Sequence, residues 1–150
     1  MSHTSHDAWQ DTLPGALAAT IVKEAPDAIL YCDSEGIIRF WNGGCERIFG
    51  YTADEASSQS LDIIIPVNLR ERHWQGYRET MRTGHTRYAA GDLLAVPAVR
   101  KDGVRISIEF SIIPFRDANR IIIGMAAIMR DVTKRFEEIK ALRKRHAAGP

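Results

Sequence analysis

Few residues of this 150-residue sequence have types and spacings that could do chemistry. The carboxylates are scattered, and no grouping of serine, histidine and aspartate or of cysteine and histidine indicates a catalytic site. No glycine-rich loop precedes a helix, so the sequence does not support nucleotide binding. Cys32 and Cys45 form neither a disulfide framework nor a zinc pattern, and we expect both to be buried and inert. We therefore predict that the chain is not an enzyme.

His73 is the strongest candidate for a binding residue. A neutral imidazole is a good ligand for metals. Spacings of three and four predict that His73 shares one face of a helix over residues 67–83 with five other residues. These are Leu69, Gly76, Tyr77, Thr80 and Met81. Gly84 is the predicted end of this helix, and His85 follows it.

The composition is that of an ordinary globular domain, with 45% apolar and 26% charged residues. The 20 basic and 19 acidic residues nearly cancel, so no global field attracts nucleic acid. No apolar run is long enough to span a bilayer, and the first 20 residues lack the core of a signal peptide. The basic segment 140–146 fits the solvated face of a coiled coil better than a nucleic-acid contact. These features predict a cytoplasmic domain with neither a membrane nor a nucleic-acid partner.

The first half of the chain reads as a helix, a hairpin and a series of short helices. A helix is predicted over residues 11–25, with Thr12 as its cap and Pro14 in its first turn. Strands at 27–33 and 37–41 flank a turn that ends at Gly36. Further helices are predicted over 43–50, capped by Asn42, from Thr52 with a capping box, and over 67–83.

The second half reads as three strands and a helix. The strands are predicted at about 88–100, 104–115 and 120–130. In the middle strand Ile106, Ile108, Phe110 and Ile112 alternate with other residues, which predicts one buried face. Thr133 is predicted to cap a last helix over 134–146. A hairpin and a three-strand meander separated by helices favour an α+β domain.

Four segments in order carry a family resemblance. They are residues 25–42, Phe49-Gly50-Tyr51, residues 100–103 and Asp131-Val132-Thr133. Together they resemble the PAS domain, a sensory module of signalling proteins. The resemblance implies a five-stranded antiparallel sheet in the order 2-1-5-4-3 with helices on one face. It also implies an N-terminal tail and flanking helix (1–24), a PAS core (25–133) and a C-terminal signalling helix (134–150). Residues 55–60 depart from the family, which often has a glycine there.

The resemblance extends to heme-containing PAS domains of oxygen-sensing nitrogen-fixation kinases, which hold iron on a histidine in an Arg-x-x-His context. Arg70-Glu71-Arg72-His73 matches that pattern. It implies heme b on His73 as the metal ligand, with Tyr77, Leu94, Phe110 and Ile112 around the cofactor and His85 near a propionate. Leu94 stands where those sensors have an arginine, so oxygen would be held less well than CO or NO. A histidine with a purely structural role is the alternative. The flavin motif of light-sensing relatives is absent, because Cys45 is displaced from its position.

The family also implies how a signal leaves the domain. Asp131 and Thr133 occupy the junction that passes the signal to the last helix. The flanking helices, through Leu13, Leu17, Ile21, Phe136 and Ile139, are predicted to form a homodimer. We therefore predict a sensory module for a small ligand or gas in two-component or similar signalling, with a kinase, cyclase or transcription factor as output. The alternative is a cofactor-free dimerisation domain.

Overall fold

The computed structural model describes residues 4–86 and 93–149, with side chains from residue 14 onward. Within these residues the chain forms five α-helices, five strands and two short 3-10 helices. The elements are α1 (Thr4–Glu24), β1 (Ala28–Asp33), β2 (Ile38–Trp41), α2 (Gly43–Phe49), α3 (Ala53–Ala56), the 3-10 helices Leu61–Ile64 and Val67–Leu69, α4 (Arg70–Thr83), β3 (Leu94–Val99), β4 (Arg105–Arg116), β5 (Ile122–Asp131) and α5 (Thr133–Ala147).

The five strands form one antiparallel sheet in the order β2-β1-β5-β4-β3, which confirms the predicted fold. The first and last strands are neighbours at its centre, and Ala28 lies opposite Met129. Because β1 follows α1 and β5 precedes α5, both flanking helices leave the domain at the same end of the sheet. Pro97 lies in the edge strand β3, where a missing N–H group is tolerated.

The core lies between the inner face of the sheet and helices α2 to α4. Ile106 and Ile108 are buried there, and Phe110 and Ile112 continue the same face while only partly buried. The alternation predicted for this strand is therefore confirmed. Cys32 and Cys45 are among the largest fully buried side chains, as predicted. Burial raises the pKa of each thiol to about 12, so neither forms a thiolate at neutral pH.

Helix α1 differs from the prediction at its first residue. It begins at Thr4, so Thr12 does not cap it and Pro14 lies inside it. A proline in a helix interior removes a single backbone hydrogen bond. Ala8 and Gln10 before it are good helix formers, and the helix continues through the proline. The side chain of Leu13 and residues 87–92, which include the predicted start of the third strand, lie outside the described residues.

Helix α4 presents the predicted face with one exception, since Leu69, His73, Tyr77, Thr80 and Met81 are all half-buried. Gly76 is exposed, whereas it was predicted to lie on the inner face. Arg70 at the start of the helix is half-buried and donates to the carbonyl oxygens of Ile65 (3.0 Å) and Asp62 (3.1 Å). The helix follows a 3-10 turn over Val67–Leu69. Gly84 ends it in the left-handed conformation, as predicted.

Candidate functional site

Two aromatic residues of α4 hold this helix against the β1–β2 turn. Gly36 has a φ of +78°, and a Cβ atom there would lie 2.1 Å from the ring of Trp74. The position therefore requires glycine both for the turn and for the indole above it. The Nε1 atom of Trp74 donates to Asp62 at 2.6 Å. The hydroxyl of Tyr77 donates to the carbonyl oxygen of Asp33 at 2.5 Å, and burial raises the pKa of Tyr77.

His73 lies half-buried beside these two rings. Its ring centroid is 4.6 Å from that of Trp74 in an edge-to-face contact and 6.0 Å from that of Tyr77. Its Nδ1 atom is buried and has no hydrogen-bond partner among the described residues. Burial lowers the pKa of His73, although the nearby carboxylate of Asp62 opposes this effect. The imidazole is therefore neutral at pH 7, the form that binds metals.

The apolar residues predicted to line a cofactor pocket lie together on the sheet. Leu94 and Phe110 are direct partners of β3 and β4, and Ile112 follows Phe110 on the inner face. Among the described residues the ring contacts of His73 are with Trp74 and Tyr77 on its own helix. The structure thus groups the three apolar residues with one another and His73 with its helical neighbours.

His85 lies beyond the end of α4 and is exposed. Its backbone N–H donates to the hydroxyl of Thr83 at 3.2 Å. The neighbouring Arg82 forms an ion pair with Glu79 at 2.7 Å. A role for His85 beside a propionate stays a prediction.

His73 lines neither of two depressions on the surface of the described residues. One has a volume of about 360 Å³ and is lined by Phe49, Gly50, Arg100, Lys101 and Asp102. The other has a volume of about 560 Å³ and lies beside the start of α5, where Glu109, Arg130, Asp131, Val132, Lys134, Arg135 and Glu138 line it. Within residues 4–86 and 93–149, no group of three or more histidine, cysteine, aspartate or glutamate residues is arranged to hold a metal ion.

The junction between β5 and α5 is built differently from the prediction. Thr133 is the first residue of α5 and does not cap it, because Val132 is in the cap position and makes no side-chain cap bond. The hydroxyl of Thr133 instead accepts a hydrogen bond from the N–H of Ser107 in β4 at 2.9 Å. The same hydroxyl donates to the carboxylate of Asp131 at 2.5 Å. Asp131 also accepts from the N–H of Thr133 at 2.9 Å.

Asn42 is a functional candidate whose full role the sequence did not reveal. It caps α2, as predicted, through a bond from the N–H of Cys45 at 2.9 Å. Only 2% exposed, it also accepts from Ile29 and donates to the carbonyl oxygens of Val22 and Asp27. The side chain therefore joins the last turn of α1 to β1 and α2. In the sequence, the only indication of this role was that Asn42 lies between the apolar pair Phe40-Trp41 and the start of a helix.

The flanking helices expose apolar side chains. Leu17 and Ile21 on α1 and Phe136 and Ile139 on α5 are each about half exposed. No helix among the described residues has both the length and the apolar character needed to cross a bilayer.

The strand order, the helices on one face and the helix that continues from the last strand define an α+β domain built on one five-stranded antiparallel sheet. The family model of the PAS domain matches residues 26–134, so the chain belongs to the PAS domain family. PAS domains are in general sensory rather than catalytic and are typical of signal-transduction proteins.

Two curated relatives are similar over most of the chain. An uncharacterized protein of Azorhizobium caulinodans is 29% identical over 119 residues, which are 79% of this chain and 16% of the relative. Sensor protein FixL of Bradyrhizobium diazoefficiens is 32% identical over 93 residues, which are 62% of this chain and 18% of the relative. The chain thus spans less than a fifth of the length of either protein.

A solved structure with the same fold is the PAS domain of a protein from Colwellia psychrerythraea. It has a TM-score of 0.69 and 24% sequence identity, and the match covers 81% of this chain and 98% of that domain. At this level of identity the likeness supports the fold alone.

Proposed function

We propose that this chain is the sensory module of a signal-transduction protein, which responds to a small ligand or gas between α4 and the inner face of the sheet. The response would leave through α5. The observation that carries the proposal is the bond between Ser107 and Thr133, which joins β4 to the first residue of α5. Phe110 lies on the same strand as Ser107 and faces the core. A ligand that displaces β4 would therefore change the anchor of α5.

Heme b on His73 is the sharpest form of this proposal, and the donor chemistry fits it. The imidazole is neutral, and its buried Nδ1 has no hydrogen-bond partner within residues 4–86 and 93–149, so a bound group would relieve an unsatisfied polar atom. His73 would hold the iron, with Leu94, Phe110, Ile112 and Tyr77 around the cofactor and His85 toward a propionate. Heme iron held by a histidine supplies reversible binding of small gases. The similarity to a sensor protein also supports a sensory role.

An absorption spectrum tests the heme proposal directly. The purified protein is measured before and after addition of heme under reducing conditions, beside His73→Ala and the control His146→Ala. His146 lies on α5 and is exposed, so its loss removes a histidine without changing the core. We expect a sharp Soret band in the wild type and in His146→Ala that is lost in His73→Ala. A flat spectrum, or a band indifferent to His73, contradicts heme on His73.

A cofactor-free dimerisation domain is the second candidate function, and the exposed apolar residues of the flanking helices favour it. These residues are Leu17, Ile21, Phe136 and Ile139. Sedimentation at micromolar concentration tests it. We expect a colourless dimer that is weakened by Leu17→Glu and by Phe136→Glu. Val67→Glu is the control, because Val67 is an exposed apolar residue that belongs to neither flanking helix. A wild-type monomer contradicts this candidate.

We also propose the oligomeric state, the output partner and the location of the domain. A homodimer places two copies of α5 side by side, and a fused or separate kinase, cyclase or transcription factor would receive the signal. We propose a cytoplasmic location and a place in two-component signalling. Supporting this, the chain matches about a fifth of the length of a sensor protein, which leaves most of that protein for other domains.

A further inference from the structure

Strand β3 lies at one edge of the sheet and pairs with a single strand, β4. In an antiparallel pair alternate residues bond to the neighbouring strand, and the residues between them point their backbone groups away from it. Ser107 of β4 lies opposite Pro97, and its N–H donates to the hydroxyl of Thr133 on the far side of β4. The backbone of Pro97 therefore points outward from the sheet, and Ala95 and Val99 share this direction.

These three residues present a row of backbone groups, which we call the open edge of β3. The row offers the N–H groups of Ala95 and Val99 as donors and the carbonyl oxygens of Ala95, Pro97 and Val99 as acceptors. None of these groups has a hydrogen-bond partner within the described ranges 4–86 and 93–149. Charged side chains commonly keep other strands away from an edge, but residues 93–99 carry no charge. The open edge of β3 can therefore accept an added strand.

The row of outward groups continues past Val99 and is already used there. The N–H of Lys101 donates to the carbonyl oxygen of Phe49 at 2.8 Å, as it would to a neighbouring strand. Phe49 is the last residue of α2, and Gly50 follows it in the left-handed conformation. The depression of about 360 Å³ that Phe49 and Arg100 help to line therefore adjoins the end of the open edge.

Arg100 is the basic residue of this depression that is held least firmly. The Nε atom of Arg100 lies 3.8 Å from the carboxylate of Asp102, which is beyond hydrogen-bond distance. The ammonium of Lys101 is instead bound to the carboxylate of Glu55 and lies 6.0 Å from the centre of the Tyr51 ring. A carboxylate that entered the depression would therefore meet the guanidinium of Arg100, a group that suits it.

We propose that the open edge of β3 binds an extended segment of a partner protein. Because every strand pair of this sheet is antiparallel, the segment runs antiparallel to β3. It has an acidic residue in the depression, followed by about five uncharged residues along the open edge. A second copy of the chain fits less well, since the symmetric pairing that uses the whole row sets Pro97 opposite Pro97, and neither has an N–H group. A different partner loses only one bond at Pro97.

Selection from a phage-displayed library of random octapeptides tests this proposal. Selected peptides are labelled with fluorescein, and fluorescence anisotropy measures their binding to the wild type, Val99→Pro and Val99→Thr. Val99→Pro removes an outward N–H and keeps the bonds to β4, whereas Val99→Thr retains the N–H. We expect peptides with an acidic residue before β-branched residues, and binding to Val99→Pro that is about tenfold or more weaker than to Val99→Thr. Failure to select such peptides, or equal binding to both variants, overturns the proposal.

Amide hydrogen exchange measured by NMR locates the bound peptide on the wild-type chain and needs no substitution. The N–H groups of Ala95 and Val99 should exchange fast in the free chain and about tenfold or more slowly in the complex. Those of Val96 and Ala98 bond to β4 in both states and are the internal control. Protection at other sites, with no change at Ala95 and Val99, refutes the open edge as the binding site.

The acidic residue of the peptide tests the depression separately. Arg100→Gln should weaken the selected peptides several-fold, and it should have little effect on the same peptides with glutamine in place of the acidic residue. An equal loss for both kinds of peptide would show that the carboxylate does not meet Arg100, and the proposed role of the depression would be wrong.

Discussion

At the residue scale, His73 couples the stability of the domain to pH. Burial lowers its pKa in the folded state below the ordinary 6.5. As the pH falls through 6.5, the unfolded chain therefore binds a proton first, and the free energy of unfolding decreases. Above that pH the imidazole is neutral in both states and has no effect. The expected loss of stability on acidification is confined to the window between the unfolded and folded pKa values.

Chemical denaturation of wild type and His73→Phe from about pH 7.5 to about pH 5.5 measures this effect. The phenylalanine keeps a ring beside Trp74 and Tyr77 but cannot titrate. We expect the wild type to lose more stability than the variant over this range. Other titrating groups are common to both proteins, so equal slopes would show that His73 has the same pKa folded and unfolded.

Two helical glycines offer a matched pair at the same scale. A Cβ atom at Gly44 would lie 2.0 Å from the carbonyl oxygen of Asp27, whereas nothing lies within 4 Å of one at Gly76. Gly44→Ala must therefore displace the entry to β1, and we expect it to destabilise the domain by roughly 2–3 kcal/mol. Gly76→Ala should instead stabilise it by about 0.5–1 kcal/mol, because alanine favours a helix. Urea denaturation of both variants checks the opposite signs.

At the element scale, the anchor of α5 predicts a specific effect of its first residue. Thr133→Val keeps the shape of the side chain but leaves the N–H of Ser107 without its acceptor. We expect a loss of about 1–2 kcal/mol and faster amide hydrogen exchange in the first turns of α5. Thr133→Ser retains the hydroxyl and is the control. Unchanged exchange in Thr133→Val would mean that α5 is positioned by other contacts, and the relay proposal would lose its support.

The elements also show which features local sequence could predict. The strands, the capping box at Thr52 and the cap at Asn42 depend on neighbouring residues, and all were predicted. The role of Thr133 depends on Ser107, a residue 26 positions away. No local pattern distinguishes a hydroxyl that caps its own helix from one that bonds a distant strand.

In the candidate site, too, the contacts within one helix could be predicted from the sequence, whereas the contacts between distant segments could not. The spacing along α4 placed His73 with Tyr77, and they are neighbours in the structure. The contact of Trp74 with Gly36 joins distant parts of the chain, so it depends on tertiary packing. The exposure of Gly76 likewise depends on how α4 is rotated about its axis against the core, which helical periodicity alone leaves undetermined.

At the scale of the whole molecule, charge is distributed unevenly although its total is small. Helix α5 holds six of the 20 basic and two of the 19 acidic residues, a net charge of +4, which leaves −3 for the rest of the chain. Both acidic residues, Glu137 and Glu138, lie in its first half. Residues 140–147 are therefore entirely without negative charge. The two flanking helices thus differ, since α1 has an uncharged stretch and α5 a basic end.

This asymmetry predicts how salt affects the proposed homodimer. If two copies of α5 run side by side in parallel, their basic ends meet and repel, while the exposed apolar side chains proposed to join the two copies carry no charge. Salt screens the repulsion, so the dimer should become tighter between about 50 mM and about 500 mM NaCl. Arg143→Gln with Lys144→Gln should tighten the dimer at low salt and remove most of this dependence. Sedimentation equilibrium measures both. A dimer that weakens as salt is added would show that attraction between opposite charges holds it together, and the parallel arrangement of α5 would be wrong.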